Sequence, residues 1–433
     1  MLSKTQIVAR ASLSRIATVA LFVIANYRYL NHKPSGALIF TPNPACIHTK
    51  FILPFTRWDA AHMLLIAQQG YQTNQMSHAF FPIFPLLMRH LAHLVRSLAP
   101  SLCLDEALVL AGLAISNLAF VGAALALHHL TLVILKSAPL ADMTINVFCL
   151  SPSSAFFSTL YSESLFALCN FSGLLFLETG RPLLASISLM ISSATRSNGI
   201  LAFPIVLYHG ILRGNRNSSQ RFVCATLHAS ATILPYAAWQ LIGFRRFCTS
   251  DHPLNLSLDR PTWCEWRIPH LYVYVQDRYW NVGLFRYWQM RQLPNFLLAA
   301  PVLLLSASTC WESCLQFVRR LPIRANSQAY MDYFLRRSPS SMVVPRPGAL
   351  HPHADMYVLH WAFLSIACFF VLHVQVVTRL VGAGCAPFYW CLADKWLDWE
   401  RTWKQGGGSI WFGFCLLYAV GGTILHANSY PFV

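Results

Sequence analysis

The feature that most constrains this chain is a set of long apolar runs without formal charge. One of them, Ala107–Leu135, contains no Lys, Arg, Asp or Glu. A run of about eighteen or more such residues is long enough to cross the hydrocarbon layer of a bilayer as a helix, which satisfies its own backbone hydrogen bonds. Charged residues make up only 11% of the chain, against roughly 25% in a soluble domain. That is too little charge to cover a water-facing surface. Aromatic residues at 13% argue against disorder. The runs are continuous, whereas an outer-membrane barrel alternates in segments of about ten residues. The fold class is therefore all-α and polytopic.

Ten spans are expected: Leu13–Leu30, Phe81–Ala99, Ala107–Leu135, Met143–Phe157, Leu160–Leu177, Leu183–Leu212, Phe222–Phe244, Phe296–Phe317, Met356–Leu380 and Ile410–His426. Lys4, Arg10 and Arg15 precede or open the first run. No small-residue cleavage site follows it, so it reads as an uncleaved anchor with a cytosolic start. Ser151-Pro152-Ser153-Ser154 breaks the stretch 143–177. Counting that stretch as two passes puts Arg213–Arg221 and the arginine-rich Arg319–Arg346 in the cytosol, as the excess of Lys and Arg in cytoplasmic loops requires. The non-cytosolic side then holds Asn31–Ala79, Arg245–Asn295 and Val381–Ser409. The whole chain, 1–433, reads as one transmembrane domain, with a first lumenal loop at 31–79, a second at 245–295 and a basic cytosolic loop at 319–350. Asn255-Leu256-Ser257 falls on the lumenal side as a glycosylation acceptor, and Asn217-Ser218-Ser219 on the cytosolic side.

The net charge of +16 fits basic cytosolic loops facing anionic lipid. No nucleic-acid motif accompanies it. The thirteen cysteines include no CxxC pair. Cys149, Cys169, Cys224, Cys368 and Cys415 sit inside apolar runs and read as small core residues. No metal-ligand spacing appears.

Three polar groups of residues carry candidate chemistry. The first loop contains Arg57-Trp58-Asp59-Ala60-Ala61-His62. One reading is an interfacial belt, with Trp58 at headgroup depth. The other makes Asp59 a general base that takes a proton from an attacking hydroxyl, with Arg57 and His62 orienting it. A single carboxylate suits inversion at a sugar carbon, whereas retaining glycosidases need a close pair. The second group lies within spans, where a charge costs on the order of 3 kcal/mol. Glu163 and Arg196 either pair with each other or line a polar cavity, with Asn198 close to Arg196 in sequence. The third is Tyr279-Trp280-Asn281 through Arg286, Tyr287 and Arg291. It reads equally as an interfacial belt or as a sugar- and phosphate-binding surface.

Several stretches occur together in a recognisable order. They are Arg57-Trp58-Asp59-Ala60-Ala61-His62, Ile66–Tyr71, Ala79-Phe80-Phe81-Pro82, Ser151-Pro152, Tyr161–Leu168, Thr195-Arg196-Ser197-Asn198-Gly199, Tyr279–Gly283, Pro294–Ala299, His373–Arg379 and Tyr389-Trp390. In this order they resemble the PIG-V type of GPI mannosyltransferases, which belong to the GT-C glycosyltransferases. The resemblance spans nearly the whole chain. It implies a multi-pass protein of the endoplasmic reticulum membrane with a lumenal active site. The donor would be dolichyl phosphate mannose and the acceptor a mannosyl-glucosaminyl-phosphatidylinositol, a GPI precursor lipid. The new bond would be α-1,6, formed with inversion, and Asp59 matches the catalytic acid position of the first lumenal loop. Arg196, Arg286 or Arg291 would hold the donor phosphate. Trp58, Glu163, Asn198, Trp280, Asn281 and Tyr287 would contact substrate. A lipid-linked donor carries no nucleotide, so no cofactor is implied, and divalent-metal dependence is left open. Ala61 departs from animal relatives, which often carry Glu before the histidine, and this leaves Asp59 as the candidate acid. The residues say nothing of an accessory membrane subunit. Alternatives are another dolichyl-phosphate-mannose-dependent transferase, or a lipid transporter or scramblase with Glu163 and Arg196 along its path.

Overall fold

The computed structural model describes residues 1–28, 46, 49–71, 75–213, 218–249, 261–320, 354–402 and 409–432. The basic loop at 319–350 lies almost wholly outside these residues, as do the Asn255 sequon and Asn217. Every regular element among the described residues is helical. The principal helices are α1 (Lys4–Arg28), α2 (Asp59–Gln69), α3 (Ile83–Leu98), α4 (Leu104–Leu135), α5 (Ala138–Cys149), α6 (Glu163–Glu178), α7 (Pro182–Thr195) and α8 (Ala202–Arg213). They continue with α9 (Ser218–Cys248), α10 (Leu271–Trp280), α11 (Leu293–Arg320), α12 (Asp355–Phe370), α13 (Val377–Gly384), α14 (Ala386–Thr402) and α15 (Ile410–Ala427).

Four segments are each long and apolar enough to cross a membrane alone: Lys4–Tyr27, Leu104–Leu135, Met290–Ser313 and Ile410–Ala427. A fifth crossing is available to Val374–Gly384 with Ala386–Glu400, which are bent by 87° at their junction. Ten spans are expected, and among the described residues only these four or five meet the length and apolarity of a span; the other passages use shorter or more polar helices.

Contacts sort the helix termini into two ends. At one end, the His128 ring and the backbone N–H of Leu2 both reach Asp142, at 2.9 Å each. This gathers the start of α1, the last turns of α4 and the start of α5. At the other end, Cys46 is disulfide-bonded to Cys103, and Gln68 donates to Asp105. We call the second the site end, because Asp59 lies there.

Three expectations are corrected by this geometry. First, the span expected at Phe81–Ala99 does not cross. Met88 of α3 packs beside Gly112 in the third turn of α4, and the chain turns from α3 into Cys103 at the site end. The buried stripe Phe84, Met88, Ala92 faces the bundle, while Arg89, His93 and Arg96 are exposed beside Leu86, Leu87 and Leu94. A helix with that distribution suits a lipid–water interface.

Second, Leu183–Leu212 is two passages. The chain is extended at Arg196 (φ −151°, ψ 145°) and makes a tight turn over Ser197–Leu201. Gly199 allows that turn, because a Cβ there would lie 2.5 Å from the Ser193 backbone. α7 runs against α6, with Ser188 Oγ donating to the Cys169 carbonyl at 2.8 Å. α8 then returns to the far end, where His209 meets Glu178 at 3.0 Å.

Third, Val381–Ser409 is not a segment of the site end. α13 and α14 lead away from it, and Trp390 Nε1 donates to Thr131 Oγ1 near the end of α4 at 2.8 Å. α15 comes back, bringing His426 within 3.3 Å of the Tyr161 hydroxyl. The two-pass reading of 143–177 stands: α5 approaches the site end and α6 leaves it. Their break is filled by Arg15 of α1. Its guanidinium donates to the carbonyls of Ser154 and Cys149, each at 3.2 Å, and lies 3.9 Å from the Phe120 ring centre.

Candidate active site

Asp59 opens α2 directly after Trp58, whose φ is +56°. A bulky residue in that conformation is strained, and such strain gathers at functional sites. The turn presents the Asp59 carboxylate at a helix N-terminus, where the helix dipole favours negative charge. The backbone N–H of Asp59 donates to the Tyr161 hydroxyl at 3.2 Å, which satisfies one of the helix's first amides.

Three other elements converge on Asp59. Glu163 is the first residue of α6 and is fully buried. Arg379 lies in the first turn of α13. Its Nη1 is 2.9 Å from Asp59 Oδ2, its Nε donates to Glu163 Oε1 at 2.8 Å, and its Nη2 lies 2.7 Å from the same oxygen. Arg196, just after α7, brings Nη1 to 2.6 Å from the same Glu163 oxygen as an ion pair and donates from it to Ser162 Oγ at 3.2 Å. Asn198 Oδ1 accepts from Arg196 Nε at 3.4 Å. Two carboxylates thus face two guanidiniums. A buried carboxylate without such partners would be strongly disfavoured.

Burial pushes the Asp59 carboxyl up. The Arg379 charge opposes this, helped by His62, the Arg379 hydrogen bond and Arg196, and the net shift is downward. Asp59 is therefore ionised at neutral pH. Its side chain remains 37% exposed, so the base faces an open space rather than a sealed core. His62 is held below its ordinary value by burial, against the pull of Asp59. Its ring stacks on Phe80 at 4.8 Å.

The structure therefore brings Asp59, Glu163, Arg196 and Asn198 together and keeps His62 alongside. The paired and cavity readings of Glu163 and Arg196 meet in one arrangement, since the pair sits beside Asp59. Arg57 is buried two residues before Asp59, and Trp58 is 44% exposed. Trp280 reaches the site wall through Phe80, at 6.0 Å between ring centres. Tyr287 stacks on His373 at 4.5 Å, six residues before Arg379.

Arg286 and Arg291 are not gathered. Arg286 pairs with Asp277 on the surface, both about half exposed, and Arg291 is exposed. Asn281 closes α10 in the left-handed conformation, a backbone role that Asn tolerates well. Sequence reasoning gave no role to Arg379, Tyr161 or His426. Arg379 was detectable by the test that picked out Arg196, a costly charge inside an apolar run. It ends the run Met356–Leu380, where a basic residue reads as the close of a span.

Cys46–Cys103 and Cys248–Cys264 are disulfides, which the view of cysteines as core residues did not anticipate. The five cysteines named above are free thiols. Cys46, Cys103 and Glu106 are close enough to suggest metal ligands. Both sulfurs are spent in the disulfide, and Glu106 caps α4 by accepting from the Cys103 N–H at 2.9 Å. Disulfides persist in oxidising compartments. Alkylation of unfolded protein, read by peptide mass, is expected to label Cys46, Cys103, Cys248 and Cys264 only after reduction. Labelling without reductant would remove the compartment argument.

Such a bundle, with its ionic cluster recessed at one end, is that of a membrane-embedded enzyme. The sequence matches the family described as Mannosyltransferase (PIG-V) over residues 6–433, and the chain belongs to that family. Human GPI alpha-1,6-mannosyltransferase 2 is 33% identical over 373 residues, covering 80% of this chain and 73% of the human protein. GPI mannosyltransferase 2 of Drosophila pseudoobscura pseudoobscura is 29% identical over 462 residues, covering 96% and 97%. Among solved structures, archaeal oligosaccharyltransferase AglB from Archaeoglobus fulgidus, in complex with an inhibitory peptide and a dolichol-phosphate, aligns over 96% of this chain. The TM-score is 0.41 and the identity 11%, and the match covers 55% of that protein. The protein is thus a mannosyltransferase held in a membrane by several helices, which decides for the transferase over the transporter.

Proposed function

We propose that this enzyme transfers the second mannose of a GPI anchor. The donor is dolichyl phosphate mannose and the acceptor a mannosyl-glucosaminyl-phosphatidylinositol. The acceptor's 6-hydroxyl oxygen attacks C1 of the donor mannose. The bond from C1 to the phosphate oxygen breaks, and its electron pair leaves with the phosphate. Asp59 takes the hydroxyl proton. Attack opposite the leaving group turns a β-linked donor into an α-1,6 product. The observation that carries this reading is the partly exposed Asp59 carboxylate at a helix N-terminus, paired with Arg379 and backed by Glu163 and Arg196.

Arg196 is the donor-phosphate ligand favoured by its place in the cluster, since stabilising developing charge needs a fixed cation close by. Arg286 and Arg291 serve as outer guides for the lipid headgroup. Trp280 and Tyr287 form the wall that sugar contacts. The prenyl tail has a seat of fitting chemistry. An apolar groove of about 680 Å³ runs between α11 and α12, from Phe296, Phe369 and Phe370 at the site end towards Trp311. Phe296 adjoins Tyr287, which stacks on His373 at the start of the segment bearing Arg379. The two disulfides favour placing this end in the lumen of the endoplasmic reticulum.

The test is purified protein with dolichyl phosphate mannose and a synthetic one-mannose acceptor. Mannose is expected on the 6-position in α configuration. Transfer to another lipid-linked acceptor instead would keep the donor and Asp59 but replace the acceptor. No use of the donor would overturn the reading.

A further inference from the structure

Arg379 links the two carboxylates of the site, and its own freedom is small. Two of its nitrogens are fixed on Glu163 Oε1, and only Nη1 reaches Asp59. Its guanidinium lies 5.1 Å from the Phe156 ring centre and 4.9 Å from that of Tyr161. The segment before it is also tied down. His373 Nε2 sits 2.7 Å from the Trp280 carbonyl, and Ser153 Oγ donates to the Thr378 carbonyl at 2.8 Å. The contact engages Asp59 Oδ2 and leaves Oδ1 without a hydrogen bond from the described residues.

We propose that Arg379 is the positioning residue for Asp59: clamped by buried Glu163, it fixes the carboxylate so that Oδ1 faces the acceptor hydroxyl. This rests on the reading of Asp59 as base. Removing one anchor of a reacting group costs rate through misplacement, about 100-fold for a shift near 1 Å. It also removes the strongest charge that keeps Asp59 ionised against burial. Other groups face the pair as well: His62 and Arg57 near α2, Tyr161 and Glu163 near α6, Arg196 after α7, and His426 on α15. His62 and Arg196 pull Asp59 in the same direction as Arg379. The acid limb of the rate profile therefore moves but does not vanish.

The experiment is the pH profile of kcat/KM for purified wild type and Arg379→Lys, each alone and in a His62→Gln background. Lys keeps a positive charge but cannot bridge both carboxylates in the planar fork that Arg uses. A positioning role predicts a drop in kcat of about 100-fold. It also predicts an acid limb displaced to higher pH in both backgrounds, since an ammonium that cannot bridge both carboxylates sits farther from Asp59 and lets burial raise the carboxyl. A lowered rate with an unmoved limb would make Arg379 merely structural and overturn the proposal, while leaving Asp59 as base. Should Arg379→Lys fail to accumulate, Asp59→Glu reads the same geometry with the clamp intact. A carboxylate one methylene too long is expected to lose about 100-fold, and full activity there would overturn the proposal. Full activity in Asp59→Asn would overturn the base itself, a separate outcome.

Discussion

Asp59→Asn is expected to lower mannosyl transfer by about 10²- to 10⁴-fold, the usual worth of a positioned base. The change is nearly isosteric and leaves Glu163 as the partner of both arginines, so the protein should accumulate at wild-type levels. The measurement is the mannose-labelled lipid profile of cells lacking the protein, rescued by each version. A one-mannose GPI intermediate should build up in the deficient cells, clear with wild type and persist with Asp59→Asn. Clearance by both versions would keep the step but move the base away from Asp59. A normal profile in deficient cells would remove the GPI assignment. Because Arg379 and its neighbours hold the carboxyl below its ordinary value, Asp59 itself keeps wild-type transfer working through mildly acidic pH. Its contribution is lost only as pH falls through the depressed value.

Glu163→Gln is expected to fail differently, at the level of the folded protein. Glu163 is fully buried and its Oε1 receives both Arg196 and Arg379. Taking away one member of a buried ionic group leaves uncompensated charge and costs about 3–5 kcal/mol. The two arginines would be left with Asp59 as the only carboxylate in the cluster, and Asp59 is partly open to water. The check is thermal unfolding in detergent beside steady-state protein level. Unchanged melting with lost transfer would show that Glu163 acts on substrate rather than on the fold.

The polytopic α class was legible because uncharged runs such as Ala107–Leu135 allow little else. The details were lost where hydropathy averages over angle. Phe81–Ala99 has a span's average, yet Arg89, His93 and Arg96 share one face and Phe84, Met88 and Ala92 another. That spacing in the sequence marks a surface helix. Leu183–Leu212 has the opposite fault. Its average is that of one span, but Arg196 and Gly199 mark a turn, and the chain passes twice. The two misreadings offset each other, so the end of α8 and the start of α9 still fall at the same end as the start of α1. The stretch beyond Val381 misled for a third reason. Val381–Ser409 reads as a segment between spans, while α14 buries its Leu392 and Ala393 side against the bundle.

The site was legible in parts. Asp59, Glu163 and Arg196 each stood out as a charge in costly surroundings. Their meeting was not visible, because it depends on Arg379, which lies 216 residues beyond Glu163. Arg286 and Arg291 lie apart from this cluster, Arg286 paired with Asp277 and Arg291 exposed.

The seat of Arg15 bears on how the chain is made. α1 leaves the ribosome before the rest of the bundle, carrying a cation for its interior. Its partner Ser154 follows 139 residues later. At about 5–20 residues per second, roughly 7–28 s of synthesis separate the two. During that interval a charge costing on the order of 3 kcal/mol in lipid has no bundle to enter. Arg15 therefore stays without its carbonyl partners until Cys149–Ser158 has been made. A ribosome stalled within α4 would hold a protein whose first helix still lacks the carbonyls that receive Arg15.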